Sequence, residues 1–172
     1  MNMLTGIILA VLLAIGAVCG LSYISAANTG NRMEQSMKAI SEDNKNVLAQ
    51  YGNKITEAAQ IPAMYRDDVI NVATAAIEGR YGADGSKALF QAISEQNPTL
   101  DSTVYVQLQQ MIEAGRNEFR EAQTRLVDQK RVYQTSLGSF WSGTWMGIAG
   151  YPKLNFDDYV IVSTDRDRKS VV

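Results

Sequence analysis

Histidine is absent from this sequence, and cysteine occurs once, as Cys19. Without histidine there is no Ser-His-Asp or Cys-His catalysis, no His-ligated zinc or haem and no imidazole pH switch. A single cysteine excludes an intrachain disulfide and every multi-cysteine metal site. Charge is missing from the first 31 residues: the 16 basic and 18 acidic side chains all lie at or after Arg32. Nor is there a basic excess, since the formal net charge is −2, and a nucleic-acid partner is therefore not expected. The length of 172 residues suits one compact domain plus an appendage.

What the opening does contain is an apolar run. Residues 4–24 are mostly Leu, Ile, Val, Ala and Gly. As a helix this run would be about 31 Å long, enough to cross a hydrocarbon core of about 30 Å. A cleaved signal peptide would need a basic n-region, a shorter core and a small-residue exit; here the n-region has only the terminal amine and the core is too long. Gly16-Ala17-Val18-Cys19 also fails as a lipoprotein-type site, because a bulky Val precedes the cysteine. The expected partner of residues 4–24 is thus the lipid bilayer. Gly16 and Gly20 form a GxxxG pair that could let two such helices approach and self-associate, although glycine is common in membrane helices anyway. Cys19 reads as a small apolar residue in mid-span, and Tyr23 as an aromatic at the interface. Arg32, Lys38 and Lys45 follow the span, which by the positive-inside rule leans towards a cytoplasmic location for the remainder.

Beyond the span the pattern is helical throughout. Residues 28–60 carry Met33, Met37, Ile40, Val47, Tyr51, Ile55 and Ala58 at three-and-four spacing, interrupted at Asn44. Asn44 reads as a wet residue at the edge of that stripe, the alternative being a buried register-setter. Glu34 and Lys38 stand four apart and read as a supporting pair on the outer surface. Pro62 closes this helix and opens another, to about Arg80, with Tyr65, Val69, Val72, Ala76 and Ile77 inward. Residues 81–86 form a glycine-rich break in which Asp84 or Ser86 can cap a short helix that Asn97-Pro98 stops. Asp101 or Ser102 caps the last helix, to about Leu137, whose stripe is Val104, Leu108, Met111, Gly115, Phe119, Ala122, Leu126, Tyr133 and Leu137. Glu121 and Arg125 add a second supporting pair.

These readings give an all-α protein: an anchor over 1–27, an elongated antiparallel bundle over 28–138, a Gly/aromatic cap over 139–160 and a disordered tail over 161–172. The two long helices come to about 50 and 55 Å, and the two middle ones sum to about 46 Å. Two long rods and one broken rod of matching length make a three-layer bundle. Counting passes, the C-terminal aromatic segment is expected at the end far from the bilayer.

Several features could carry chemistry. Gly79, Gly82 and Gly85 lack the preceding strand and the G-x-G or Gly-Lys-Ser/Thr order of a phosphate loop, so they read as a turn. Asn155-Phe156-Asp157-Asp158 and Asp165-Arg166-Asp167 do not complete a calcium loop. Arg166, Arg168 and Lys169 are interleaved with acids, which limits counterion release. The remaining charges recur at helical spacing, as on a solvated bundle face, and no catalytic, cofactor-binding or metal-ligating residues emerge. The unusual segment holds Phe140, Trp141, Trp145 and Met146 among Gly138, Gly143, Gly147 and Gly150. It reads either as a folded-back cap over the bundle end or as a surface for a partner or membrane.

The order of motifs resembles the LemA family. An anchor and a helix lead to Gln60-Ile61-Pro62-Ala63-Met64, then a Gly-rich break and Asn97-Pro98-Thr99-Leu100. Val106-Gln107-Leu108-Gln109-Gln110-Met111-Ile112-Glu113, Arg116-Asn117-Glu118-Phe119 and a late Gly150-Tyr151-Pro152-Lys153 follow. The resemblance runs from the anchor to about Tyr159 and rests on order and spacing. The family usually has Ile-Pro-Asn-Leu where Ile61-Pro62-Ala63-Met64 stands, and more aromatic and Arg content in its first soluble helix, so the chain resembles a divergent bacterial or phage branch. The resemblance implies a single-span, all-α membrane protein with a small tail outside, and supplies no catalytic residues. The expected function is a non-enzymatic scaffold or interaction module for a protein partner still to be identified. The alternative is a membrane-remodelling or membrane-bridging protein whose Trp141/Trp145 segment touches a second bilayer about 50 Å away.

Overall fold

The computed structural model describes residues 3–80 and 85–159, among which the regular elements are helices and no strand occurs. Gly82 and Asp84 of the glycine-rich break, and the 161–172 tail with Asp165, Arg166, Asp167, Arg168 and Lys169, lie outside the described residues. Helix α1 is Met3–Ala58, α2 Arg66–Ile77, α3 Gly85–Gln96, α4 Ser102–Gly138 and α5 Phe140–Ile148. Short 3-10 turns cover Ala63–Tyr65 and Phe156–Asp158.

Apolar span and following stripe are one unbroken helix of 56 residues. No proline lies between Met3 and Ala58, and an isolated glycine such as Gly30 costs a helix only about 1 kcal/mol. The first part of α1 is long and apolar enough to cross a membrane, with its most apolar window wholly exposed. Its buried positions are then Ala26, Gly30, Glu34, Met37, Asn44, Val47, Gly52, Ile55 and Thr56, spaced by one or two helical turns along one stripe.

Three helices end in the same way. After α1, the Ile61 N–H donates to Thr56 O and Gln60 N–H to Glu57 O, with Gln60 left-handed at φ 53°. After α2, Arg80 N–H donates to Ala75 O and Gly79 N–H to Ala76 O, with Gly79 at φ 77°. After α5, Tyr151 N–H donates to Met146 O and Gly150 N–H to Gly147 O, with Gly150 at φ 79°. This paired bonding is the Schellman motif, which satisfies carbonyls the helix leaves open. The start of α4 follows expectation: Asp101 Oδ1 accepts from Thr103 N at 2.8 Å and from its hydroxyl at 2.8 Å.

By contact density the chain forms two units. One comprises residues 3–39 with Asp128–Tyr159; the other is Ile40–Val127. The Ile40–Val127 unit is built on Ile55, Ala59, Val69, Ala73, Ile77, Leu89, Ile93, Leu108, Ile112 and Phe119. Here α1 and α4 run antiparallel, since Asp43 meets Arg125 (2.9 Å) while Tyr51 meets Gly115 and Glu118. Helices α2 and α3 form a hairpin, with Gly85 against Ala76 and the Asn97 side chain bonded to Ala59 O at 3.1 Å. Tyr65, read as inward, is exposed, because it sits in the 3-10 turn before α2. Ser86, read as a cap, lies inside α3, which begins at Gly85.

The first-named unit has its own core of Ala26, Met37, Tyr133 and Met146, with Met33, Leu137, Trp145, Tyr151, Leu154, Phe156 and Tyr159 packed around it. Two readings are corrected here. Glu34 is buried, 5% exposed, instead of pairing with Lys38 on the outer surface, because it occupies a seam position of α1. The aromatic segment is not at the end remote from the span: Trp141 and Trp145 share a cleft with Leu21, Ser22 and Ser25. The count of passes failed at the glycine-rich break, where α2 and α3 reverse on each other instead of continuing as one rod.

Candidate interfacial site

The site grows out of a corner at the end of α4. Ser139 leaves the helical region with φ −73° and ψ 137°, and the chain restarts at once as α5. Gly143 N–H donates to Ser139 O at 2.7 Å and Ser142 Oγ–H to Ser136 O at 2.8 Å. A side chain at Gly143 would strike the Leu137 carbonyl, so this tight turn needs glycine there.

Helix α5 has two faces. Met146 is fully buried among Ala26, Met37 and Tyr133, and Trp145 packs beside it. Phe140, Trp141 and Ile148 face outwards with 88%, 57% and 62% of their surface exposed. The Trp141 and Trp145 rings meet edge-on, with centroids 5.9 Å apart at 72°. Together with Ser142 and Met146 they form one wall of an open cleft of about 310 Å³; Leu21, Ser22, Ser25, Ala26 and Thr29 form the other. Of the four aromatic-segment residues singled out from sequence, Met146 is thus core, Trp145 is half-buried, and Phe140 and Trp141 are surface.

A latch holds the chain after α5 against α1. One Glu34 carboxyl oxygen accepts from Tyr133 Oη at 2.8 Å, Lys153 N at 2.6 Å and Leu154 N at 3.2 Å. The Tyr151 ring lies over Gly30, where a Cβ would come within 2.8 Å of it. Lys130 Nζ donates to Phe156 O at 3.2 Å, and the Phe156 ring stands 5.4 Å from that of Tyr133. Burial first, and the neighbouring Glu34 carboxyl second, hold the Tyr133 hydroxyl well above its ordinary value. Sequence reasoning missed Glu34 because charge suggested solvent. The signal available was its register, four residues after Gly30 and three before Met37.

Other candidates find structural places. Gly79 is the left-handed cap of α2 and Gly85 abuts Ala76. Asn155 Oδ1 accepts from Asp157 N at 3.1 Å, making the residues 155–158 a capped turn. Among the described residues no cluster of three His, Cys, Asp or Glu could hold a metal ion. Asn44 is buried, 5% exposed, rather than wet at the stripe edge, and its Oδ1 has no partner among the described residues. Gly16 and Gly20 have nothing within 4 Å of a would-be Cβ, leaving that face of α1 open.

The charge pattern adds a further feature. Residues 132–152 contain no charged side chain, as is true of residues 1–31, and the fold brings these two stretches together at the cleft. Comparison with known proteins finds no matching family model, no matching curated protein and no matching solved structure. Fold and site together define the class: among the described residues, an all-helical protein with one helix apolar enough to cross a membrane and an aromatic helix packed beside residues 21–26 of it.

Proposed function

We propose that this chain is a LemA-like, single-span membrane protein that works as a non-enzymatic scaffold or protein-interaction module at the membrane surface. One observation carries the reading: the charge-free opening and the seam of a folded helical core are parts of the same helix, α1. Such a helix tethers whatever the core binds. Arg32, Lys38 and Lys45 just after the span favour a cytoplasmic core by the positive-inside rule. The partner is a protein, and the open Gly16/Gly20 face supports self-association within the bilayer. Alkaline carbonate extraction of membranes tests the anchor: the full chain stays in the pellet, while a chain lacking residues 1–27 is released. Release of the full chain defeats the reading.

The second reading, membrane remodelling or bridging through Trp141 and Trp145, changes in character. Those rings lie beside Leu21 and Ser25, which favours contact with the anchor's own bilayer over one about 50 Å away.

A further inference from the structure

We propose that α5 is a second membrane attachment, lying in the headgroup interface of the same bilayer that α1 crosses. This rests on the anchor reading above and adds to it a site, the outward face of Phe140, Trp141 and Ile148 with the cleft behind it, and an occupant, phospholipid at the interface. Three observations converge.

The first is continuity. Leu21, Ser22 and Ser25, which form the far wall of the cleft, are the last turns of the apolar span, where a spanning helix leaves the hydrocarbon. A helix packed at that level cannot hold its exposed aromatics away from the interface. Phenyl and indole rings, apolar in body and with an N–H on Trp, are the side chains that settle there.

The second is the charge gap. A solvated nine-residue helix would carry charged residues on its outer face, yet α5 has none and neither do the residues around it from 132 to 152. The outward face is therefore built of Phe, Trp and Ile against hydroxyls and glycine, a composition suited to the acyl–headgroup boundary.

The third is the cationic border. The first charged residue after the span is Arg32; the last before the gap is Arg131; the first after it is Lys153. The latch places all three within two residues of one contact, because Glu34 bonds both Tyr133 and the Lys153 N–H. Arg32 and Arg131 are exposed. Arg131 shares its charge with Asp128 at 3.8 Å and Lys153 stands 4.6 Å over the Tyr151 ring, and the three cations border the uncharged surface as basic residues facing lipid phosphates do.

The sequence supplies its own reporters, since its two tryptophans are both in α5 and its one cysteine is Cys19 in the span. The full chain would be reconstituted in phosphatidylcholine–phosphatidylglycerol vesicles, with bromines placed either near the glycerol ester or near the chain ends. The expected result is blue-shifted tryptophan emission, quenched most by the shallow bromines and little by aqueous iodide. Trp145→Phe, which leaves Trp141 as sole emitter, keeps that pattern. Emission quenched by iodide and untouched by either bromine position overturns the proposal and leaves the face free for a protein or a second copy. Strongest quenching by the deep bromines also overturns it, because the helix would then be inserted rather than interfacial. Cys19 separates this failure from failure of the anchor. If Cys19 resists a membrane-impermeant maleimide, the span is in place whatever the tryptophans report; if it labels in intact vesicles, the anchor reading itself has failed.

Discussion

A single carboxyl oxygen of Glu34 serves three donors contributed by residues about a hundred positions further along the chain. Glu34→Ala leaves the buried Tyr133 hydroxyl and two part-buried amides without that acceptor, and we expect a loss of about 3 kcal/mol, read by denaturant unfolding. Glu34→Gln keeps an acceptor oxygen and loses less, which separates hydrogen bonding from packing. Tyr133→Phe removes one donor and costs about 2 kcal/mol by the same measurement. Tyr133→Phe also differs from wild type in alkali. Tyr133 is held above its ordinary value of 10.0, so its contribution is complete below that pH. Above about pH 10 the unfolded chain gives up this proton while the folded chain keeps it, and stability falls. In Tyr133→Phe that part of the alkaline decline is absent. Tyr51, raised by burial and by Glu118, declines in the same direction and remains in the variant.

Among elements, the helix ends were the most legible in the sequence and the turns between them the least. Pro62, Asn97-Pro98 and Asp101 each mark a boundary through a fixed φ or a side-chain cap, and these signals are local. What Gly79 does is also local, but whether α2 and α3 continue or reverse depends on contacts such as Gly85 with Ala76, which no window of sequence contains. The Gln60 cap is an element-level misfit, a non-glycine residue at φ 53°. Gln60→Gly is expected to raise stability by about 1 kcal/mol, since an L side chain strains a left-handed position. Gly143→Ala is expected to act in the opposite sense, by about 2 kcal/mol, because its neighbour is the Leu137 carbonyl and backbone yields poorly. Gly147→Ala, with nothing near its Cβ, serves as control in the same thermal melts.

For the molecule as a whole, the all-helical class and the membrane-length opening were readable from periodicity and from the missing charge. The candidate site was half readable: the aromatics declared themselves, but their neighbours on α1 and the Glu34 latch are long-range pairings. Two separate cores also went unread, since both are fed by the same stripes on α1 and α4. They can be told apart by probe. Ile112→Ala, in the larger core, should cost about 3 kcal/mol by ellipticity while tryptophan emission at ambient temperature stays unchanged. Met37→Ala, in the core that includes Trp145, should shift that emission directly. The latch has one more consequence, which concerns the order in which the chain is made. Glu34 is synthesised about a hundred residues before Tyr133 and the amides of Lys153 and Leu154, so the nascent protein carries an unmatched acid on α1 until those donors emerge. The core around Tyr133 consequently closes only once residues 153 and 154 are out, and a polypeptide interrupted at Gly150 lacks both amides.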